Sequence, residues 1–341
     1  GHAVALLIVS CPCALGLATP LAVSAAIGRA ARRKILIKGG DALENLARPG
    51  RMVLDKTGTL TQGRMAVVRW WGDEAVKPAV AAIERDSAHP IAAALAGTVS
   101  KGYPEAHEVE EITGAGISGH CEGRELLIAS VAHVEQEVGP LPDEAAAAVA
   151  DFLRDGLSPV VVAADRQVVS VVGLGDPLRS DSKDSVSAIR AGGWQVEVLS
   201  GDHPAAVQSI TAQIGVSPEA ARGAATPEDK LQSIQSSGGE TVAMVGDGVN
   251  DAAALAAATV GIGVHGGAEA VLAAADVYLG RPGLAPVVEL IEGSRRTLGV
   301  IRRNLVFSLA YNVVAVSFAI TGHMSPILAA ILMPLSSMTV V

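Results

Sequence analysis

Charge is absent from three long stretches of this chain, and that distribution limits its possible folds more than any other feature. Ala3 to Ile27 runs 25 residues without a charged side chain, and Leu305 to Gly322 and Met324 to Val341 run 18 each. A helix crosses a membrane with roughly 20 apolar residues, and 18 helical residues reach about 27 Å. Each stretch is predicted to cross once, the last two as an αα-hairpin turning at His323. Arg29, Arg32, Arg33, Lys34 and Lys38 follow the first stretch, and Arg295, Arg296, Arg302 and Arg303 precede the second. By the positive-inside tendency both flanks face the cytoplasm, with a soluble middle between them.

A net charge of −9 over 341 residues argues against a nucleic-acid partner, because binding a phosphate backbone needs a clustered positive face. Three cysteines make no disulfide framework. Cys121 stands alone in the soluble middle, and no cleavable leader is expected ahead of the first stretch.

Within that middle, short apolar runs repeatedly end in acidic turns. Met52-Val53-Leu54 leads into Asp55-Lys-Thr-Gly-Thr-Leu-Thr61, so Asp55 is expected at the carboxyl edge of a sheet, where open α/β sheets hold their ligands. Backbone N–H groups and hydroxyls of the following turn can hold a phosphate, and Lys56 lowers the local negative charge. Val196 to Leu199 ends in Ser200-Gly201-Asp202, and Thr241 to Val245 ends in Gly246-Asp247-Gly-Val-Asn250-Asp251. Thr226-Pro-Glu-Asp-Lys230 opens a helix with Thr226 as cap and proline in its first turn. Carboxylates gathered at one sheet edge repel unless a cation joins them, and hard oxygen ligands suit Mg²⁺.

A lone Asp-Lys-Thr reads as a capped turn, but seven consecutive residues, DKTGTLT, with GDGVND farther on, resemble the signatures of the P-type ATPases. The resemblance implies an α/β fold: a haloacid-dehalogenase-like, doubly wound phosphorylation domain with an inserted α+β nucleotide-binding domain, flanked by transmembrane helices. It implies Asp55 as nucleophile, forming an aspartyl phosphate from ATP, with Asp55, Asp247 and the Thr57 carbonyl on Mg²⁺. Ser200, Gly201 and Lys230 hold the transferring phosphoryl, Asp202 and Lys56 belong to the same site, and Asn250 and Asp251 support it. The expected organisation is a span at 1–28, the phosphorylation domain at 29–61 and 170–293, the nucleotide domain at 62–169, and two spans at 300–341.

In the insert, Glu84 and His89-Pro90 precede an Ala-rich helix, and Gly114-Ala-Gly116-Ile-Ser-Gly119 is expected as a glycine-rich turn. A lone His before Pro is more often a cap, yet this set resembles the nucleotide domain of heavy-metal pumps. Glu84 and His89 are then implied to orient the adenine, while Gly114 and Gly116 let the nucleotide approach the backbone. The family's Gly-Asn pair is replaced by Ala129-Ser130. The phosphorylation sheet is expected to resume at Val168 to Leu174, followed by Asp176-Pro-Leu-Arg179.

Pro12 removes a hydrogen-bond donor from the middle of the first span, so the helix should kink and let Cys11 and Cys13 converge. Paired thiolates suit soft ions such as Cu(I). Cys-Pro-Cys resembles the ion site of the heavy-metal branch, and Tyr311-Asn312 with Met333-Pro-Leu-Ser336-Ser337 resembles its copper(I) subgroup. Cys11, Cys13, Tyr311, Asn312, Met333 and Ser336 are the implied Cu(I) set, although interhelical hydrogen bonding is an open reading for Asn312 and Ser336, and core filling for Met333.

The expected activity is ATP-driven export of Cu(I), with Ag(I) as mimic, at a bacterial-type cell membrane with cytoplasmic soluble domains. A Zn(II) or Cd(II) pump is the alternative. A soluble phosphatase of this fold usually has a second Asp two residues after the nucleophile, where Thr57 stands here. A non-catalytic metal-binding membrane protein would not need Asp55, Asp202, Lys230 and Asp247 together. No Thr-Gly-Glu triplet occurs, so the family's actuator domain and further spans are expected outside this sequence, as is a copper chaperone or amino-terminal metal-binding domain.

Overall fold

The computed structural model describes residues 13–100, 102–236, 238–247, 251–266, 269–325, 327–332 and 335. In chain order the elements are α1 (Cys13–Arg32), β1 (Ile35–Ile37), α2 (Gly40–Leu46), β2 (Arg51–Asp55), β3 (Ala66–Gly72), α3 (Lys77–Glu84), α4 (Pro90–Ala96), β4 (Ala106–Ile112), β5 (Gly116–Cys121) and β6 (Arg124–Ala129). There follow α5 (Val131–Glu137), α6 (Asp143–Arg154), β7 (Ser158–Ala164), β8 (Gln167–Gly175), α7 (Ser182–Ala191), β9 (Gln195–Leu199), α8 (Pro204–Gln213), β10 (Ala221–Arg222) and α9 (Pro227–Gln235). The last are β11 (Val242–Gly246), α10 (Ala252–Ala257), β12 (Val260–Gly263), α11 (Glu269–Ala274), β13 (Val277–Leu279) and α12 (Ala285–Ile320).

The chain divides into two compact units. One comprises Gly1–Met52, Ala188–Gln195 and Ser233–Val341; the other comprises Val53–Ser187 and Val196–Gln232. A seven-stranded sheet has the order β1-β13-β12-β11-β2-β9-β10, and β2 itself passes from the first unit into the second. In the first unit β11, β12 and β13 run parallel, and β1 closes the edge antiparallel, pairing Ile35 with Leu279. In the second unit β9 and β10 are parallel. All five β11 residues are buried, as expected of a parallel strand covered on both faces.

The second unit also holds a six-stranded sheet, β3-β8-β7-β6-β5-β4, whose pairings are all antiparallel. Strand alternation sends Ile117, Leu126, Ile128, Val160, Val162 and Val172 to one face, where they meet Val80, Ile83 and Leu95 of α3 and α4. Ala129, Val161, Ala163 and Val171 face Val134, Ala145, Val149 and Phe152 of α5 and α6. Helix α6 forms because its buried residues, Ala145, Ala148, Val149 and Phe152, recur at helical spacing. Asp143 and Glu144 in its first turn and Arg154 in its last complement the helix dipole.

Two expectations are corrected here. Val168 to Leu174 does not return the chain to the phosphorylation sheet: β8 pairs with both β3 and β7, so it completes the inserted sheet through Gly175. The glycine-rich segment is a turn only at its start. Gly114 has φ +74°, and Gly116 already opens β5, where an added Cβ would lie 2.2 Å from the Ile128 carbonyl oxygen.

Among the described residues, α12 is the helix long and apolar enough to cross a membrane. It is continuous over 36 residues and carries Arg295, Arg296, Arg302 and Arg303 within it, so the apolar segment does not begin a new helix at Leu305. Leu309, Val313, Phe318 and Ile320 are exposed along its outer face. The chain turns at Gly322 (φ +81°), residues 327–332 are helical apart from the masked flanks, and Met324 and Ala329 pack on Ala315 and Ala319. Residues 1–12, with the first part of the first expected span and its Pro12 kink, lie outside the described residues.

Candidate active site

Strand β2 buries Met52, Val53 and Leu54 and delivers Asp55 to its carboxyl end, 5% exposed. The Lys230 ammonium donates to Asp55 Oδ1 at 2.5 Å, and both side chains are buried. Lys230 is aimed by a capped helix start. Asp229 N–H donates to Thr226 Oγ1 at 3.1 Å, Thr226 N–H donates back to Asp229 Oδ2 at 3.0 Å, and Pro227 occupies the first turn. These hydrogen bonds and Arg222 hold the Asp229 carboxyl below its ordinary pKa, the Thr226 backbone contact contributing most.

Lys56, also buried, forms an ion pair with Asp202, whose N–H donates to Ser200 Oγ at 3.2 Å. Ser200 is fixed by its backbone: its N–H donates to the Arg222 carbonyl at 3.0 Å, and its own carbonyl accepts from Ala225 N–H at 2.9 Å. The second unit thus brings together Asp55 with Lys230, and Lys56 with Asp202 and Ser200. Burial strengthens the Lys230–Asp55 pair, because little water remains to screen it, whereas the Asp202 side chain is 43% exposed and its pair with Lys56 is partly screened. Thr57 is exposed in an extended conformation (φ −71°, ψ 131°), and Gly58 turns the chain at φ +69°.

In the first unit β11 ends at Gly246, followed by half-buried Asp247. Asp251 folds back on the strand end and is 2% exposed; a Cβ on Gly246 would meet its Oδ2 at 2.8 Å. Asn250 lies outside the described residues.

The segment after the phosphorylation signature is held by groups to which the sequence reading assigned no role. Asp176 accepts from Thr61 Oγ1 at 2.5 Å and from Gly63 N–H at 2.8 Å. Arg179 donates to the Gly58 carbonyl at 3.0 Å, and Ser182 Oγ donates to that of Leu60 at 2.7 Å. The available signal was Asp176-Pro177, polar residues breaking an apolar run beside a turn.

The insert contains a cavity of about 520 Å³ lined by Glu84, His89, Gly114, Gly116, Ala129, Ser130 and Pro159, among others. All four nucleotide candidates therefore meet in one cavity. His89 also caps α4, its Nδ1 accepting from Ile91 N–H at 3.2 Å, which leaves the proton of the neutral ring on Nε2. Burial, with Glu111 second, raises the Glu84 carboxyl from 4.5 to about 7. A base-sized, partly apolar cavity with few polar groups is the usual form of a small-molecule site.

For the metal set, Cys11, Met333 and Ser336 lie outside the described residues, and Cys13 begins α1. Tyr311 and Asn312 are half-buried on α12, and the Tyr311 hydroxyl has no hydrogen-bond partner among the described residues.

Residues 52–259 match the haloacid dehalogenase-like hydrolase family. The chain is 37% identical over 350 residues to the probable copper-exporting P-type ATPase V of Mycobacterium tuberculosis, covering 99% of this chain and 45% of that protein. It is equally 37% identical to a manganese-exporting P-type ATPase of Mycobacterium bovis, covering 100% of this chain and 49% of that one. A solved zinc-transporting PIB-type ATPase in its E2.Pi state superposes with a TM-score of 0.84 at 31% identity, over 97% of this chain and 55% of that one. The chain spans about half the length of the curated relatives it matches. It belongs to the haloacid dehalogenase-like hydrolase family, and its homologues are heavy-metal P-type ATPases.

Proposed function

We propose that the chain is the phosphorylating, ATP-binding part of a pump that exports Cu(I) across a cell membrane, its soluble domains cytoplasmic. The observation that carries this reading is the buried contact of Lys230 with Asp55 at the end of β2. The Asp55 carboxylate attacks the terminal phosphorus of ATP in line, the bond to the ADP oxygen breaks, and an acyl phosphate forms on Asp55. Ser200, the Gly201 backbone and Lys230 hold the phosphoryl oxygens, so positioning and charge neutralisation supply the catalysis. Asp202 keeps Lys56 oriented at the same edge.

Asp55, Asp247 and the Thr57 carbonyl are hard oxygen donors that fit Mg²⁺, with Asn250 and Asp251 in support. When bound, that ion neutralises phosphate charge. Thr57 has no carboxylate to activate water, so the phosphoenzyme persists until the actuator domain of the complete pump hydrolyses it. Glu84, His89, Gly114 and Gly116 hold the adenine end of ATP, and the shared cavity supports that assignment.

Cu(I) is favoured over Zn(II) and Mn(II) by donor chemistry. Cys11, Cys13 and Met333 are soft, Tyr311, Asn312 and Ser336 accompany them, and the three uncharged stretches contain no carboxylate. Delivery by a copper chaperone or an amino-terminal metal domain completes the proposal. The test is incubation of the full pump with γ-labelled ATP and Mg²⁺, comparing Cu(I), Ag(I), Zn(II) and Mn(II). Acid-stable, hydroxylamine-sensitive label that is lost in Asp55→Asn is expected, with Cu(I) giving the greatest turnover. Greater turnover with Zn(II) or Mn(II) overturns the metal, and label persisting in Asp55→Asn overturns the nucleophile.

A further inference from the structure

We propose that the cavity between α1 and α12 binds one anionic glycerophospholipid, its phosphate on Arg29 and an acyl chain among the small residues below. The inference needs α1 and α12 to enter a membrane at their uncharged stretches and is independent of the metal. The cavity lies within the first unit and measures about 570 Å³. Leu21, Ala22, Ala25 and Ala26 form its α1 wall, and Leu290, Gly293 and Val300 belong to its α12 wall. Arg29, Arg33 and Arg296 are among its lining residues, which continue to Ile35, Ile37 and Leu43.

The change in charge falls within the lining on α1, at Arg29, and just beyond its last residue, Asn304, on α12. On α1 the uncharged stretch ends at Ile27 and Arg29 follows; on α12 Arg302 and Arg303 immediately precede the uncharged stretch from Leu305. Lipid phosphates occupy that level of a bilayer, where basic side chains meet them.

Two of the three lining arginines already have carboxylates. Arg33 pairs with Glu289 at 3.2 Å, and Arg296 pairs with Glu292 at 3.1 Å. Arg29 has no carboxylate partner among the described residues, and its planar fork suits two phosphate oxygens. The walls offer little to a peptide occupant. Thr297 Oγ1 is already committed to the Gly293 carbonyl at 2.8 Å, and helical backbone groups are internally bonded, whereas an incoming peptide would need its own polar groups satisfied. An acyl chain asks for nothing but apolar contact.

The test uses the full chain purified in mild detergent, with native mass spectrometry after incubation with phosphatidylglycerol, phosphatidylcholine or inorganic phosphate. Phosphatidylglycerol is expected to remain bound where phosphatidylcholine does not, and inorganic phosphate alone is expected not to bind. Arg29→Gln should weaken retention about tenfold, the loss of one charge-assisted contact. Arg29→Lys should recover part of it, and Ala26→Trp should abolish it by filling the cavity. Arg303→Gln, outside the cavity, should change nothing. Equal retention of both lipids, an equal loss in Arg303→Gln, displacement by inorganic phosphate, or full retention in Ala26→Trp would each overturn the proposal.

Discussion

Replacing Glu84 with Gln removes a titration from the interior of the inserted domain while keeping the side chain's shape. The carboxyl is 5% exposed, and burial first and Glu111 second raise it from 4.5 to about 7. In the unfolded chain it ionises near 4.5, so between 4.5 and about 7 the folded state holds a proton that the unfolded state has lost. Stability is therefore full below 4.5 and falls as pH rises through 7. At about 1.36 kcal/mol per pH decade the displacement sets an upper bound of about 3 kcal/mol. Solvent in the open cavity screens this to about 2 kcal/mol. Amide exchange of β5 and β6, corrected for intrinsic rates, reports the opening free energy of this sheet alone. From pH 5 to 8 the parent should lose about 2 kcal/mol relative to Glu84→Gln, which should match it at pH 5 and exceed it at pH 8. Parallel profiles for the two proteins would refute the buried-acid argument.

Lys230→Met leaves Asp55 without its ammonium partner, and phosphorylation by ATP should fall at least about 100-fold in the labelling assay. Gly116→Val drives a Cβ into the Ile128 carbonyl at 2.2 Å; thermal denaturation should show about 3 kcal/mol of destabilisation, with ATP binding lost. Asp176→Ala removes the acceptor for Thr61 and Gly63, and should cost about 2 kcal/mol while accelerating amide exchange at Gly63. Thr226→Ala uncaps α9, for about 1 kcal/mol in urea denaturation.

The site was legible where chemistry and position are both local. Asp55, Asp202 and Asp247 each follow an apolar run that does form a strand, β2, β9 and β11. Runs of that kind bounded by Gly and Asp carry their own punctuation. Val168 to Leu174 looked the same and belonged elsewhere. Its residues are buried because β8 is interior to an antiparallel sheet covered by helices on both faces, with Val172 and Leu174 to one side and Val171 to the other. Apolar content reports burial on two faces but not which sheet supplies it. The anchoring by Asp176, Arg179 and Ser182 crosses more than 110 residues of sequence, a separation that no local pattern encodes. His89 caps α4 through Nδ1 and also lines the cavity shared with Glu84, Gly114 and Gly116, so one local Pro-adjacent signal carries a structural role whatever the cavity binds.

Helix α12 has no joint. A five-residue link separates it from the end of β13, and its single proline, Pro286, lies in the first turn, where proline does not break a helix. Twenty-five residues of rise separate Pro286 from Tyr311, a shaft of about 38 Å. A tilt of about 5° at the sheet end of such a shaft displaces Tyr311 by about 3 Å, comparable to the width of a hydrated contact. The structure therefore contains a lever arm: a small rotation at the sheet end is multiplied along the helix into a displacement at Tyr311, without any hydrogen bond along the shaft having to break.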